Sequence, residues 1–120
     1  FTTNSFVRAC DYCGVKSGKD VDKFKETGLT AAPAAYVKAP LIAQSPVNIE
    51  CRVKQIVKLG SHDMFLSEVL GVHINKEYLE NNGKFELNRA EPVVYSHGEY
   101  YGLGELLGSF GYSVKKKGKR

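Results

Sequence analysis

Between Val47 and Asn75 apolar and polar residues alternate along two stretches, broken once by Gly60-Ser61-His62-Asp63. In the first stretch Val47, Ile49, Cys51, Val53, Val57 and Leu59 share one face. Asn48, Glu50, Arg52, Lys54 and Lys58 share the other, which is the two-residue period of a strand. Beyond the break Met64, Leu66, Leu70, Val72 and Ile74 alternate, and Phe65 and Val69 make the opposite side partly apolar too. The pattern predicts a long antiparallel hairpin with Gly60 at the first central position of a two-residue type II′ turn. A second strand apolar on both faces is expected between two packed layers. Such a hairpin frames a barrel and holds His62 and Asp63 at its bend.

The flanking segments read as shorter elements. Thr2-Thr3-Asn4-Ser5 are N-cap residues, Phe6, Val7, Cys10 and Cys13 recur at helical spacing, and Gly14 stands where a C-terminal cap belongs. A helix over about residues 4–13 follows. A second, short helix is expected after the Ser17-Gly18-Lys19 turn, capped by Ser17 or Asp20, with Val21 and Phe24 on one face and Gly28 at its end. Residues 31–46 hold three of the four prolines and read as an extended connection over the core. Lys76 to Leu79 predicts a helical turn, Asn81-Asn82-Gly83 a turn, Pro92 to Tyr95 a short strand, and 98–111 an irregular, glycine-rich end. One domain over residues 1–112 and a basic tail over 113–120 account for the chain.

The 120 residues suffice for one modest core. Apolar and charged fractions of 42% and 25% are those of an ordinary globular protein. No apolar run approaches the ~20 residues needed to span a bilayer and no signal-peptide pattern opens the chain, so a cytoplasmic setting without membrane contact is expected. The one methionine is Met64, so Phe1 is expected to be a processed terminus or the start of a fragment. The net charge of +4 is concentrated in Lys115, Lys116, Lys117, Lys119 and Arg120; the remainder balances 12 basic against 13 acidic residues. A charge confined to a terminal tail argues against nucleic acid as a partner.

Cys10-x-x-Cys13 falls near the C-terminal end of its helix, where the dipole does not favour thiolate. A zinc site needs about four ligands, and no second Cys or His pair exists. The three cysteines therefore read as small core residues in a reducing compartment, with no metal. Gly102-Leu103-Gly104-Glu105-Leu106-Leu107-Gly108 has its last glycine one residue too far for a dinucleotide fingerprint and lacks a βαβ frame. There is no nucleophile elbow and no P-loop. Ser17-Gly18-Lys19 ahead of a helix combines N–H groups, a positive helix end and an ammonium, a set that suits phosphate or carboxylate as well as a plain capped helix. His62, one residue past the turn, reads either as a hairpin-edge residue or as a polar contact and proton donor at a pocket rim.

At Ser17-Gly18-Lys19-Asp20-Val21-Asp22-Lys23-Phe24 and Gly60-Ser61-His62-Asp63-Met64-Phe65 the chain resembles the flavin reductase-like FMN-binding family, in its flavoredoxin-like branch. Lys38-Ala39-Pro40-Leu41-Ile42, Ser45-Pro46-Val47-Asn48-Ile49-Glu50-Cys51 and Gly98-Glu99-Tyr100-Tyr101-Gly102-Leu103-Gly104 agree in order. The resemblance implies a mainly β split barrel with short helices, of which this chain is the C-terminal portion without the N-terminal strands. It implies FMN near the interface of a homodimer, with electrons arriving from NAD(P)H or from a redox protein partner. Ser17, Lys19 and Asp20 match the segment that approaches the flavin, Phe24 walls the pocket, and His62 matches the histidine of a Gly-Asp-His motif associated with nicotinamide and flavin. Ser61 replaces the aspartate of that motif, and Lys19 stands where arginine is common, keeping the charge without the planar fork. The implied activity is an NAD(P)H:flavin oxidoreductase; the alternatives are a non-enzymatic FMN electron carrier and a cofactor-free barrel binding module.

Overall fold

The computed structural model describes residues 1–116 and 118; Lys117, Lys119 and Arg120 of the basic tail lie outside the described residues. The described chain is mainly β with short helices. A 3₁₀ turn over Asn4–Phe6 leads into α1 (Val7–Val15), and α2 (Lys23–Thr27) follows. Six strands form three antiparallel pairs: β1 (Ala31–Ala32) with β2 (Leu41–Ile42), β3 (Val47–Lys58) with β4 (Asp63–Ile74), and β5 (Val94–Ser96) with β6 (Glu99–Tyr101).

α1 runs past Gly14 because the Lys16 N–H still reaches the Tyr12 carbonyl at 3.0 Å, so the glycine sits within the last turn rather than capping it. α2 is capped by Asp22, whose carboxylate accepts the Lys25 N–H at 3.2 Å, and not by Ser17 or Asp20. Gly28 closes α2 as expected, in the left-handed region at φ 72°. The connection over 31–46 is not wholly irregular: Ala31 pairs with Ile42 and Ala32 with Leu41. Asn48 clamps its return into β3, accepting the Ile42 N–H at 3.0 Å and donating to the Ile42 and Ser45 carbonyls.

The β3–β4 hairpin is the frame, with Val47 opposite Ile74 at its base and Lys58 opposite Asp63 near its tip. Leu59 N–H donates to the His62 carbonyl at 3.0 Å across Gly60-Ser61, and Gly60 takes φ 93°, as the two-residue turn requires. The ladder slips twice, between Glu50 and Cys51 and between Val53 and Gln55. Cross-strand partners share a face, so the slips overturn part of the simple alternation. Val47, Ile49, Cys51 and Val53 stay on one face, because the first slip places its extra residue, Leu70, on β4; Lys54 is the extra residue of the second, and beyond it Val57 passes to the face of Arg52. Ile56, Phe65 and Val69 join the face of Cys51 and Val53, the partners being Cys51–Val69, Val53–Ser67 and Ile56–Phe65. β4 is not sandwiched between two layers here: Phe65, Leu66, Val69 and Val72 are exposed.

The remainder is held by local turns. Lys76–Tyr78 and Leu87–Ala90 are 3₁₀ turns, and Gly83 N–H closes the Glu80–Gly83 turn at 2.8 Å. The expected strand after Pro92 begins at Val94 and has a partner that the glycine-rich reading missed, β6, joined through His97 and Gly98 at φ 51° and 84°. Thr3 bridges to Pro92, with Asn4 N–H on the Glu91 carbonyl at 2.9 Å, which ties α1 to the β5–β6 hairpin. Val47 and Ala90 are buried apolar side chains, one at the hairpin base and one beside that bridge. The radius of gyration is 18.1 Å, against about 14 Å for a compact chain of this length. Much of the apolar surface is thus left open.

Candidate functional site

The turn before α2 is built by Ser17. Its carbonyl accepts N–H groups from Asp20 at 3.0 Å and Val21 at 3.2 Å, and its hydroxyl accepts the Lys19 N–H at 3.2 Å. These bonds leave Gly18, the Lys19 ammonium and the Asp20 carboxylate exposed on the outside of the bend. The Asp22 carboxylate already sits at the N-terminus of α2 on the Lys25 N–H, so the exposed cation of the turn is Lys19. Phe24 follows, half-buried in α2. The whole unit is fastened to α1 by Lys23, whose ammonium donates to the Cys13 carbonyl at 2.7 Å. That carbonyl is one of the last in α1, where a helix has spare acceptors and favours a cation.

His62 lies at the exposed tip of the hairpin, its Nδ1 2.9 Å from the Ser61 hydroxyl. Asp63 faces away into an ion pair with Lys58 at 2.8 Å. A 12-residue strand extends about 40 Å, so His62 is carried far from the hairpin base. Among the described residues no hydrogen bond or ion pair joins His62 to the Ser17–Phe24 unit. Clefts of about 350, 150 and 530 Å³ open beside α1 and α2, beside Tyr100, and beside Leu103 to Leu107. None of these clefts is lined by Ser17, Lys19, Asp20, Phe24 or His62. Hydroxyl, ammonium, carboxylate and aromatic edge within eight residues fit one side of a phosphate-bearing aromatic cofactor; they do not enclose one.

The most heavily built polar centre was not anticipated. Glu50, 1% exposed, accepts backbone N–H groups from Ala35 at 3.1 Å, Tyr36 at 2.7 Å and Val37 at 3.1 Å, and meets His73 Nε2 at 2.5 Å. Burial alone would raise its carboxyl. The His73 bond and the N–H groups of Tyr36, Ala35 and Val37 outweigh it and hold the group at about 2, below the ordinary 4.5. Tyr36 then lies with its ring over Gly71, where a Cβ would stand 2.7 Å from the ring. The carboxylate therefore pins the 33–37 loop across both strands. Sequence spacing offered one signal, a glutamate on a strand opposite a glycine, but the partners come from a loop and from the other strand.

The cysteines are placed apart. Cys10 and Cys13 are half-buried in α1, while Cys51 is exposed on the hairpin rather than packed in a core. Tyr100 donates to Asp11 at 2.9 Å, which raises its hydroxyl pKa, and it meets Tyr95 edge-on at 5.2 Å. No helix of the described residues is long and apolar enough to cross a membrane.

Comparison with known proteins gives this arrangement its context. The flavoredoxin of Desulfovibrio vulgaris (Miyazaki F) superimposes on 94% of this chain with a TM-score of 0.84 at 31% identity. A flavoredoxin from Methanosarcina acetivorans covers 96% at 0.79 and 26% identity. A split barrel domain protein from Shewanella frigidimarina NCIMB 400 covers 92% at 0.77 and 20% identity, a likeness of fold alone. This chain spans 61%, 63% and 57% of those three structures, and 38% to 42% of the length of three curated relatives that it matches. The expected fold, a mainly β split barrel with short helices, is borne out by these matches. The family described as flavin reductase like domain matches residues 1–104, and the chain belongs to that family.

Proposed function

We propose that this chain is part of an FMN-binding oxidoreductase of the flavin reductase or flavoredoxin kind, working as a homodimer. The observation that carries the reading is the 31% identical superposition on a flavoredoxin over 94% of the chain. FMN, when bound, supplies the electron-accepting chemistry, and the protein supplies position and electrostatics. Lys19, on the outside of its turn, balances the phosphate, and Ser17 and Asp20 offer a hydroxyl and a carboxylate beside it. Phe24 presents an apolar edge, and the Lys23 bond to α1 keeps this side rigid. His62 contacts the nicotinamide of NAD(P)H, or orients a redox protein partner at the same tip.

Purified full-length protein should show flavin absorbance or take up added FMN. If it does neither, the reading is wrong and a cofactor-free binding module takes its place. Fast NAD(P)H oxidation with added free flavin distinguishes a reductase from an electron carrier on the same fold. His62→Ala should slow reduction by nicotinamide more than it weakens FMN binding. An equal loss of both would make the residue structural.

A further inference from the structure

Helix α1 carries two groups that the proposed flavin chemistry does not use, the thiols of Cys10 and Cys13. Both are half-buried rather than sealed in a core, and Cys51 stands apart from them on the hairpin. Three residues apart within one α-helix, their Cα atoms lie about 5 Å from each other by helix geometry. That is inside the window of about 4.4–6.8 Å that a disulfide bridges. Their Cβ atoms share one side of the helix at about 5–6 Å, where a disulfide needs about 3.5–4.5 Å. The bond therefore closes only if the turn between them tightens by about 1 Å. Strained disulfides of this kind are the labile ones, open in a reducing medium and closed under oxidative load. The pair also sits away from the helix N-terminus, where exchange catalysts hold their nucleophile. It suits a sensor that equilibrates slowly, not a catalyst that turns over.

The turn that must tighten is already tied to the next element. The Cys13 carbonyl accepts the Lys23 ammonium at 2.7 Å, the bond that fastens α2 and the Ser17 turn to α1. A carbonyl drawn back by about 1 Å passes beyond hydrogen-bond range of that ammonium. Closing the disulfide and keeping the tie are thus in competition.

We infer that Cys10 and Cys13 form a reversible disulfide whose closure draws the Cys13 carbonyl off Lys23 and releases the Ser17–Phe24 unit from α1. One thiolate attacks a low-molecular-weight disulfide and expels the first thiol. The other attacks the mixed disulfide, closes the Cys10–Cys13 bond and expels the second. The pair gives up two electrons and two protons, and the oxidant becomes two thiols. What the release does to a bound flavin rests on the preceding reading; the disulfide and the release do not.

Full-length protein is equilibrated in buffers of reduced and oxidised glutathione, quenched with N-ethylmaleimide and digested with trypsin. Cleavage after Arg8 and Lys16 puts both cysteines in the peptide 9–16. From the oxidised buffer this peptide should emerge unalkylated and two hydrogens lighter, and dithiothreitol should restore two alkylated thiols. Hydrogen exchange is read on the same samples. The amides of Asp20, Val21 and Gly28, bonded within the turn and α2, should exchange about fivefold faster in the oxidised protein, the worth of one such bond. Cys10→Ser and Cys13→Ser should each abolish both changes, and Cys51→Ser should preserve them; a response lost with Cys51 instead overturns the pair. Two alkylated thiols in the oxidised buffer, or glutathione adducts without the internal bond, overturn the disulfide. An internal bond with unchanged exchange overturns the release. Both readouts work without flavin, so their failure sinks the switch and leaves the flavin reading standing. A working switch in a protein that neither contains nor takes up FMN sinks the flavin reading alone.

Discussion

Replacing Gly71 with alanine sets two effects of opposite sign against each other. Glycine within a strand is less stable than alanine by about 0.5–1 kcal/mol, so the substitution by itself should stabilise. The new methyl, however, would stand 2.7 Å from Cε2 and 3.0 Å from Cδ2 of Tyr36. The Tyr36 backbone has little room to retreat, since its N–H is bonded to Glu50 at 2.7 Å between two neighbours bonded to the same carboxylate. The ring, 63% exposed, can swing outward by rotation of the side chain. That relieves the clash at the loss of the ring's contact, about 1–2 kcal/mol for an overpacked site that can partly relax. The second effect wins, and Gly71→Ala should destabilise by about 0.5–1 kcal/mol net. In a Tyr36→Ala background the clash is absent, so the same substitution should stabilise by about 0.5 kcal/mol, a coupling of about 1–1.5 kcal/mol. Urea unfolding of the four proteins, followed by far-UV circular dichroism, measures it. If Gly71→Ala has the same sign and size in both backgrounds, with coupling under about 0.3 kcal/mol, the ring does not lie over Gly71.

The Glu50 carboxyl, held at about 2 in the fold against 4.5 ordinarily, binds fewer protons folded than unfolded, so its contribution is present above about pH 4.5 and is lost as pH falls toward 2. Glu50→Gln should therefore lose stability at neutral pH and show a flatter acid limb; an acid limb identical to wild type in a pH series of unfolding curves would contradict this. Lys23→Met removes the cation from the Cys13 carbonyl and should cost about 1 kcal/mol. Amide exchange of the last turn of α1 should quicken, and unchanged protection would show that the bond is incidental. Gly14→Ala, inside α1 with open space at the Cβ, should stabilise by roughly 0.5–1 kcal/mol. Gly60→Ala at φ 93° should destabilise by about 1 kcal/mol or more; thermal unfolding midpoints that move the same way for both would refute the assignment of one to a helix and the other to a left-handed turn.

The hairpin was legible because a two-residue period sustained along both arms matches paired strands and no helix, and because Gly60-Ser61 suits one turn. Its face assignment held, on the apolar side of β3, only for Val47, Ile49, Cys51 and Val53, since a slip leaves the composition of a strand unchanged and shows only when the partner is in place. Gly14 misled because glycine near a helix end serves equally as the last helical residue or as the cap; the bond from Lys16 to Tyr12 decides it. The cap of α2 went to Asp22 rather than to the equally competent Ser17, which the turn itself consumes. Of the candidate site, the Ser17–Phe24 unit was readable as a local motif. The Glu50–His73 centre joins residues 23 positions apart with three loop amides, so it depends on tertiary placement. The His97-Gly98 bend was hidden because residues other than glycine seldom adopt a positive φ, and histidine, though enriched there, is a weaker signal than an Asn-Gly or Asp-Gly pair.

The two slips of the β3–β4 ladder are equal and opposite, one carrying an extra residue on β4 and the other an extra residue on β3. They act like paired frameshifts that bracket a short out-of-frame passage, Cys51–Val53 against Ser67–Val69, with the original frame restored on either side. In frame, Arg52 would face Val69 and Val53 would face Glu68; out of frame, Arg52 meets Glu68 and Val53 joins Val69. The bracketed passage thus sorts charge from oil across the thickness of the hairpin. Substitutions inside it can retune what the face attracts, while the Glu50 anchor below and the His62 tip above keep their alignment.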